Sequence, residues 1–374
     1  MFKFEVLHQS KRSAARVGRI TTPHGVIDTP NYVPVATNGV LKAVDNTLLN
    51  QHDCQLMFCN TYHLALHPGA DIIEKAGGIH KFIGRNRPII TDSGGFQVFS
   101  LAYGSVASEL KSKGTKKTDN AVIKIDESGV RFRSYRDGKH VHLSPESSIQ
   151  LQKKIGADII IPFDELPPFH CNEAQLSTSF ARTHRWQERS LQEHLKDKQN
   201  QAIYGVVHGG LNMELRRKSC EILTNLGFDG YAIGGSLGKN RDDLIRVMAH
   251  CQDHLPTNQA RHLLGIADIP SINEGVKYGI DTFDSCYPTR SARHSVGFVG
   301  DEKIKLSSGQ YKDDFRPIDA NCSCWTCKNS TRAFVHHLFK AHEPSAQTLA
   351  SIHNIQAMMD KMKRLRQQIM DDEI

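Results

Sequence analysis

Seven short, nearly all-apolar runs recur along the chain, each followed by polar sequence compatible with a helix. They are LMFCN (56–60), RPIITD (87–92), ADIIIPFDE (157–165), IYGVVHGG (203–210), GYAIGG (230–235), HLLGIAD (262–268) and DTFDSC (281–286). Runs this continuous belong to strands covered on both faces, as in a parallel sheet flanked by helices. The intervening segments agree. In ELRRKSCEILTNLGF (214–228), Leu215, Cys220, Leu223 and Leu226 return at roughly helical spacing, and Gly227 ends the pattern. Seven runs and a weaker one near the N-terminus predict an α/β chain folded as a (β/α)8 TIM barrel; an open doubly wound sheet is the alternative.

Two stretches break the alternation. Tyr103 to Asn120 is rich in Ser, Lys and Gly, and the sequence after it alternates like hairpins around Ser128-Gly129 and Asp137-Gly138, so residues 103–143 read as a basic loop followed by an antiparallel insertion. The second is the tail after about Ser308, where clustered cysteines precede long helical patterns. The expected division is a barrel over residues 1–307 and a small metal-bearing subdomain with a closing helix over 308–374. With 39% hydrophobic and 23% charged residues, a disordered, collagenous or coiled-coil chain is excluded. No run approaches the ~18 apolar residues of a membrane span, and Lys3 and Glu5 interrupt the first residues where a secretory signal would be apolar. A cytoplasmic location without a membrane partner follows as the expectation. The net charge of +7 is too small to name a partner.

The cysteine count of nine is odd. Cys54, Cys59, Cys171, Cys220, Cys251 and Cys286 are scattered and read as reduced thiols. Cys322, Cys324 and Cys327 form Cys-x-Cys-x2-Cys, a spacing that points to soft-metal ligation. Spacing leaves the fourth ligand open among His336, His337, His342 and His353. A Cys3His set without an open position would be a structural zinc site, with iron–sulfur ligation as the competing reading.

In a barrel of this type the functional groups come from the C-terminal ends of strands. Here those ends carry Asn60, Asp92, Asp164, His208, Gly234-Gly235, Gly265 and Asp284. Any one Asp is explained equally well as a helix N-cap; three together favour a site. Asp92 leads into Ser93, Gly94, Gly95, Phe96 and Gln97, a turn whose glycines let backbone approach a flat ligand; Phe96 either stacks on that ligand or fills the core beneath the loop. Asp284 precedes Arg290, Arg293 and His294, a patch suited to a phosphate-bearing substrate or to a surface ion-pair network. Two carboxylates on one substrate suit glycosyl transfer, one attacking the anomeric carbon and the other handling the proton of the leaving group.

The motifs TDSGGFQVFSL, FDEL, HGG, GFDGYAIGGSLG, LLGIAD, GIDTFDSCYPTRSARH and CSCWTC followed by SIHN, in this order and over essentially the whole chain, resemble the queuine tRNA-ribosyltransferase, or tRNA-guanine transglycosylase, family. The resemblance implies a zinc-bearing barrel enzyme, usually a homodimer, that replaces the wobble guanine of tRNAs with GUN anticodons by a free 7-deazaguanine base. It implies Asp284 as nucleophile and Asp92 as general acid/base. Ser93, Gly94, Gly95, Phe96, Asp164, His208, Gly235 and Gly238 would line the base pocket. Gly265, Ile266, Ala267, Asp268, Ile269, Pro270 and Ser271, with Thr289, Arg290, Ser291, Ala292 and Arg293, would hold the anticodon stem-loop. Zn2+ would sit on Cys322, Cys324, Cys327 and His353.

Bacterial members that take 7-aminomethyl-7-deazaguanine usually carry Cys, Gln and LAVG where this chain has Leu166, His208 and Ser236-Leu237-Gly238. Gly238 in place of a branched residue is expected to leave room for the larger 7-substituent of queuine. Two rival readings remain. A non-catalytic partner subunit would lack the carboxylates that are present here, and a zinc hydrolase would need an open metal position and strand-end histidines, of which His208 is the one available.

Overall fold

The computed structural model describes residues 2–98, 122–134 and 136–374. Eight parallel strands form the barrel: β4 (Asn31–Pro34), β5 (Met57–Cys59), β6 (Ile89–Thr91), β10 (Ile159–Ile160), β11 (Ala202–Val207), β12 (Gly230–Ile233), β13 (Ala260–Leu263) and β14 (Thr282–Ser285), in the order β4-β14-β13-β12-β11-β10-β6-β5. A parallel bridge from Val35 to Phe58 joins the last strand to the first, so the ring closes and the open-sheet alternative falls away. All seven apolar runs supply a strand, and the eighth strand is Asn31–Pro34.

Side chains alternate across the barrel wall. Val33, Phe58, Ile90, Ile159, Tyr204, Val206, Ala232 and Ala260 pack together in the interior. Tyr32, Met57, Cys59, Ile89, Ile160, Ile203, Val207, Tyr231, Ile233, Leu263 and Phe283 belong to the layer beneath the outer helices. This two-sided burial is why the runs are continuously apolar.

The floor of the barrel was not expected from sequence. The chain opens with an antiparallel meander, β1 (Lys3–Gln9), β2 (Arg16–Thr22) and β3 (Gly25–Thr29), whose Ile20 and Ile27 join the interior cluster and plug its N-terminal end. Arg16 forks onto both carboxylate oxygens of Asp281, at 3.0 and 2.6 Å, tying this plug to the start of β14. The pair is fully buried, so truncating one partner is expected to cost about 3–5 kcal/mol.

The insertion contains a second meander, β7 (Val122–Asp126), β8 (Gly129–Arg133) and β9 (His140–Leu143), turning at Ser128-Gly129 and near Asp137-Gly138 as its alternation predicts. The basic loop expected over 103–120 lies outside the described residues. After β14 the short helix Tyr287–Arg293 leads to the hairpin β15 (Val296–Val299) and β16 (Glu302–Lys305), the helices Trp325–Asn329 and Arg332–Lys340, and the long helix Pro344–Met370. Asn354 on that long helix donates to Pro288 O and Val296 O and accepts from Phe298 N, locking the tail to the segment that follows β14. Among the described residues, no helix is long and apolar enough to cross a membrane.

Candidate active site

At the C-terminal ends of the strands the period-two alternation continues one step beyond the core, so the next inward residues are polar: Asn60 after Phe58, Asp92 after Ile90, His208 after Val206, and His262 and Asp284 on β13 and β14. Asp92 is buried, and both of its oxygens are engaged. Thr61 N donates to Oδ1 at 2.8 Å, while Asn60 and Gln97 donate to Oδ2 at 2.6 and 2.8 Å. Burial pushes its pKa up to about 6; the three donors pull the other way, and the nearby Asp164 adds to the rise. A carboxyl so poised exchanges a proton readily near neutral pH.

Asp164 is bracketed by Ser93 Oγ at 3.1 Å and His208 Nε2 at 2.9 Å. The glycines around it have specific reasons. A Cβ on Gly95 would lie 2.4 Å from Asp164 O, and one on Gly235, where φ is +73°, would lie 3.1 Å from His208 Nδ1. Arg216, fully buried and unremarked in the sequence reading, holds the loops above β11 and β12 by donating to Val207 O, Gly210 O, Gly234 O and Ser236 O. Phe96 is 47% exposed, so it is no core residue.

Gly238 requires a correction. A Cβ there would fall 2.1 Å from Asp243 Cβ, and φ is +96°. The glycine therefore answers to backbone conformation and to Asp243, and the space a branched residue would take is already filled by that side chain.

Asp284, also buried, is held on one side. His262 Nε2 lies 3.0 Å from Oδ1 and Gly265 N donates to Oδ1 at 2.8 Å. Among the described residues Oδ2 accepts no hydrogen bond. His262 and Thr282, like the donor Thr61, were not singled out from sequence, and Gln97 was read as part of the turn after Asp92 without a role of its own. Asn60 was read as a strand end without a function.

The two nucleic-acid segments divide by burial. Ala267, Ile269, Ser271, Thr289 and Ala292 are buried, and the Asp268 side chain caps the helix Ile269–Lys277 at Ser271 N, so these residues shape the scaffold. Gly265, Pro270 and Arg290 are exposed, and Ile266, Ser291 and Arg293 are partly so. Arg293 Nη1 is buried without a hydrogen-bond partner among the described residues.

Cys322, Cys324, Cys327 and His353 bring one ligand atom each to within 4.8 Å of one another. His353 Nε2 donates to Phe298 O at 2.6 Å, so Nδ1 carries the lone pair and faces Cys327 Sγ at 3.3 Å and Cys324 Sγ at 3.8 Å. His336 is engaged with Leu306 O, and His337 and His342 are exposed. The donor set suits tetrahedral zinc and leaves no position for substrate. A second group, His24, His80 and Asp158, does not suit a metal: the imidazoles stack at 3.5 Å with planes 10° apart, so their in-plane lone pairs cannot converge on one ion, and each ring instead bonds a different oxygen of Asp158.

The family model described as Queuine tRNA-ribosyltransferase matches residues 10–374. A protein of that name from Protochlamydia amoebophila is 56% identical over 371 residues, which is 99% of this chain and 96% of the relative. Others of the same name from Chlamydia felis and Chlamydia trachomatis serovar L2 are each 53% identical over 373 residues, covering 100% of this chain and 99% of theirs. The ring of inward carboxylates, the Cys3His cluster and a likeness that runs from one end of the chain to the other agree, and the protein belongs to the queuine tRNA-ribosyltransferase family.

Proposed function

We propose that the chain is a tRNA-guanine transglycosylase, a pentosyltransferase that exchanges the wobble guanine of GUN-anticodon tRNAs for a free 7-deazaguanine. The observation that carries this reading is the unequal treatment of two strand-end carboxylates: among the described residues Asp284 Oδ2 accepts no hydrogen bond, whereas both oxygens of Asp92 accept from neutral donors and burial holds it near pKa 6. Asp284 Oδ2 attacks C1′ of the ribose, and the electrons of the C1′–N9 bond leave on guanine as Asp92 delivers a proton. The incoming base then loses its proton to Asp92 and displaces the carboxylate, so configuration is retained over two inversions. Guanine must leave the base stack to be reached; Asp164, steadied by Ser93 and His208, is a matched acceptor for the N–H groups of its Watson–Crick edge. Phe96 and the Ser93–Gly95 backbone cover the base, and Gly235 lets His208 pack close.

Arg290 and Arg293 neutralise anticodon phosphates, with Gly265–Ser271 shaping the opposing rim. Cys322, Cys324, Cys327 and His353 hold one structural Zn2+ that clasps the tail. Assembly as a homodimer in the cytoplasm belongs to the same reading. The test is transfer of labelled queuine into GUN-anticodon tRNA, with 7-aminomethyl-7-deazaguanine as competitor. Incorporation that disappears in Asp284→Asn at unchanged zinc content supports the function, and the competition reveals which base is preferred. No incorporation of either base would overturn it.

A further inference from the structure

We infer that His262 is the positioning residue for Asp284: it aims the carboxylate and stabilises the charge that returns to it when the covalent intermediate breaks down. The inference rests on Asp284 being the nucleophile. His262 is fully buried on β13, one strand away from Asp284, with its ring roughly parallel to that of Phe58 (17° between planes, centroids 6.1 Å apart). Its Nε2 lies 3.0 Å from Asp284 Oδ1, and its Nδ1 lies 2.8 Å from Thr282 Oγ1. An Nε2 lone pair would face a carboxylate oxygen and be repelled, so Nε2 carries the hydrogen and donates to Oδ1. In the neutral ring Nδ1 then accepts from the Thr282 hydroxyl, which fixes the tautomer. Gly265 N donates to the same oxygen. Among the described residues both donors fall on Oδ1, which leaves Oδ2 to address C1′.

The chemical consequence is directional. A hydrogen bond to a carboxylate lowers its basicity, which makes it a weaker nucleophile and a better leaving group. In the second displacement the Oδ2–C1′ bond breaks and its electron pair returns to the carboxylate, while C1′ bonds to the incoming base, whose proton passes to Asp92. His262 acts on that step. Without the donor, the stronger basicity of the carboxylate offsets its poorer aim in forming the ribosyl ester, so that step stays within a few-fold, and breakdown slows.

The experiment follows both half-reactions with an anticodon stem-loop RNA: guanine release in a single turnover, and decay of the denaturation-stable adduct on adding base. His262→Phe, which keeps the ring and removes the donor, is expected to slow breakdown roughly ten- to hundredfold and to raise the steady-state adduct fraction, with guanine release within a few-fold. His262→Gln, whose amide nitrogen reaches the same place, should restore breakdown to within a few-fold. Thr282→Val, which leaves the imidazole in place, should give a smaller slowing of the same step and provides the reading if His262→Phe does not fold. Parent breakdown rates in both His262→Phe and Thr282→Val, or His262→Gln as slow as His262→Phe, would overturn the inference while the Asp284 assignment stands. Absence of any adduct in the parent enzyme would overturn both.

Discussion

Asp92 and Asp284 are the same residue type at equivalent places in the barrel, each at the C-terminal end of a strand and each nearly sealed from solvent. Their surroundings separate them. Around Asp92, three neutral donors from Asn60, Thr61 and Gln97 occupy both oxygens, and burial holds the group near pKa 6. Around Asp284, His262 and Gly265 crowd onto a single oxygen. A proton shuttle needs a balanced equilibrium between two protonation states, whereas a nucleophile needs one lone pair aimed and unencumbered. On the proposed function, hydrogen-bond placement divides the two tasks between them.

The contrast breaks down if the two carboxylates respond alike. Asp284→Asn should lose base exchange by about 10⁴-fold or more, with unchanged zinc content and melting temperature, because the covalent route is gone. Asp92→Asn should lose less, about 10²- to 10³-fold, because an intact nucleophile still forms adduct slowly. Single-turnover guanine release in the two variants distinguishes them, and equal losses would contradict the division of labour.

A finer test uses pH. Donors to a carboxylate favour its ionised form, so removing the Gln97 donor raises the Asp92 pKa above about 6. Adduct breakdown needs ionised Asp92 to take the incoming base's proton and therefore declines as pH falls through that value. Gln97→Leu is expected to move the acidic limb of its pH–rate profile upward by about one unit. A limb that stays put or moves down would remove Asp92 from the proton path. The smallest effect is expected at the rim. Arg293→Ala should weaken tRNA binding and reduce the slope of log K against log salt by about one, leaving single-turnover chemistry at saturation unchanged.

Much of this was legible in the sequence because barrel strands buried on both faces write themselves as apolar runs, and the residue ending each run points into the site. Asp92, Asp164, His208 and Asp284 were found that way. The N-terminal meander was missed because its first strand, KFEVLHQ, is largely exposed and carries no buried run. The donors Asn60 and Thr61 were missed because nothing local joins them to a carboxylate 32 and 31 residues away. His262 opens the run HLLGIAD and reads as part of a strand until the pleat turns it toward Asp284. Spacing left four histidines for the metal; the bond from His353 Nε2 to Phe298 O singles out one, and that contact spans 55 residues. Gly238 was misread because the direction of a Cβ depends on φ, which the residue name alone does not state.

Asp284 as the covalent attachment point is tested most directly by mapping the bond. The parent enzyme, incubated with an anticodon stem-loop RNA, denatured, and digested with ribonuclease and protease, should yield one ribosylated peptide. Mass spectrometry should place the modification on Asp284. A ribosyl group on Asp92 or Asp164, or an adduct that persists in Asp284→Asn, would contradict the assignment.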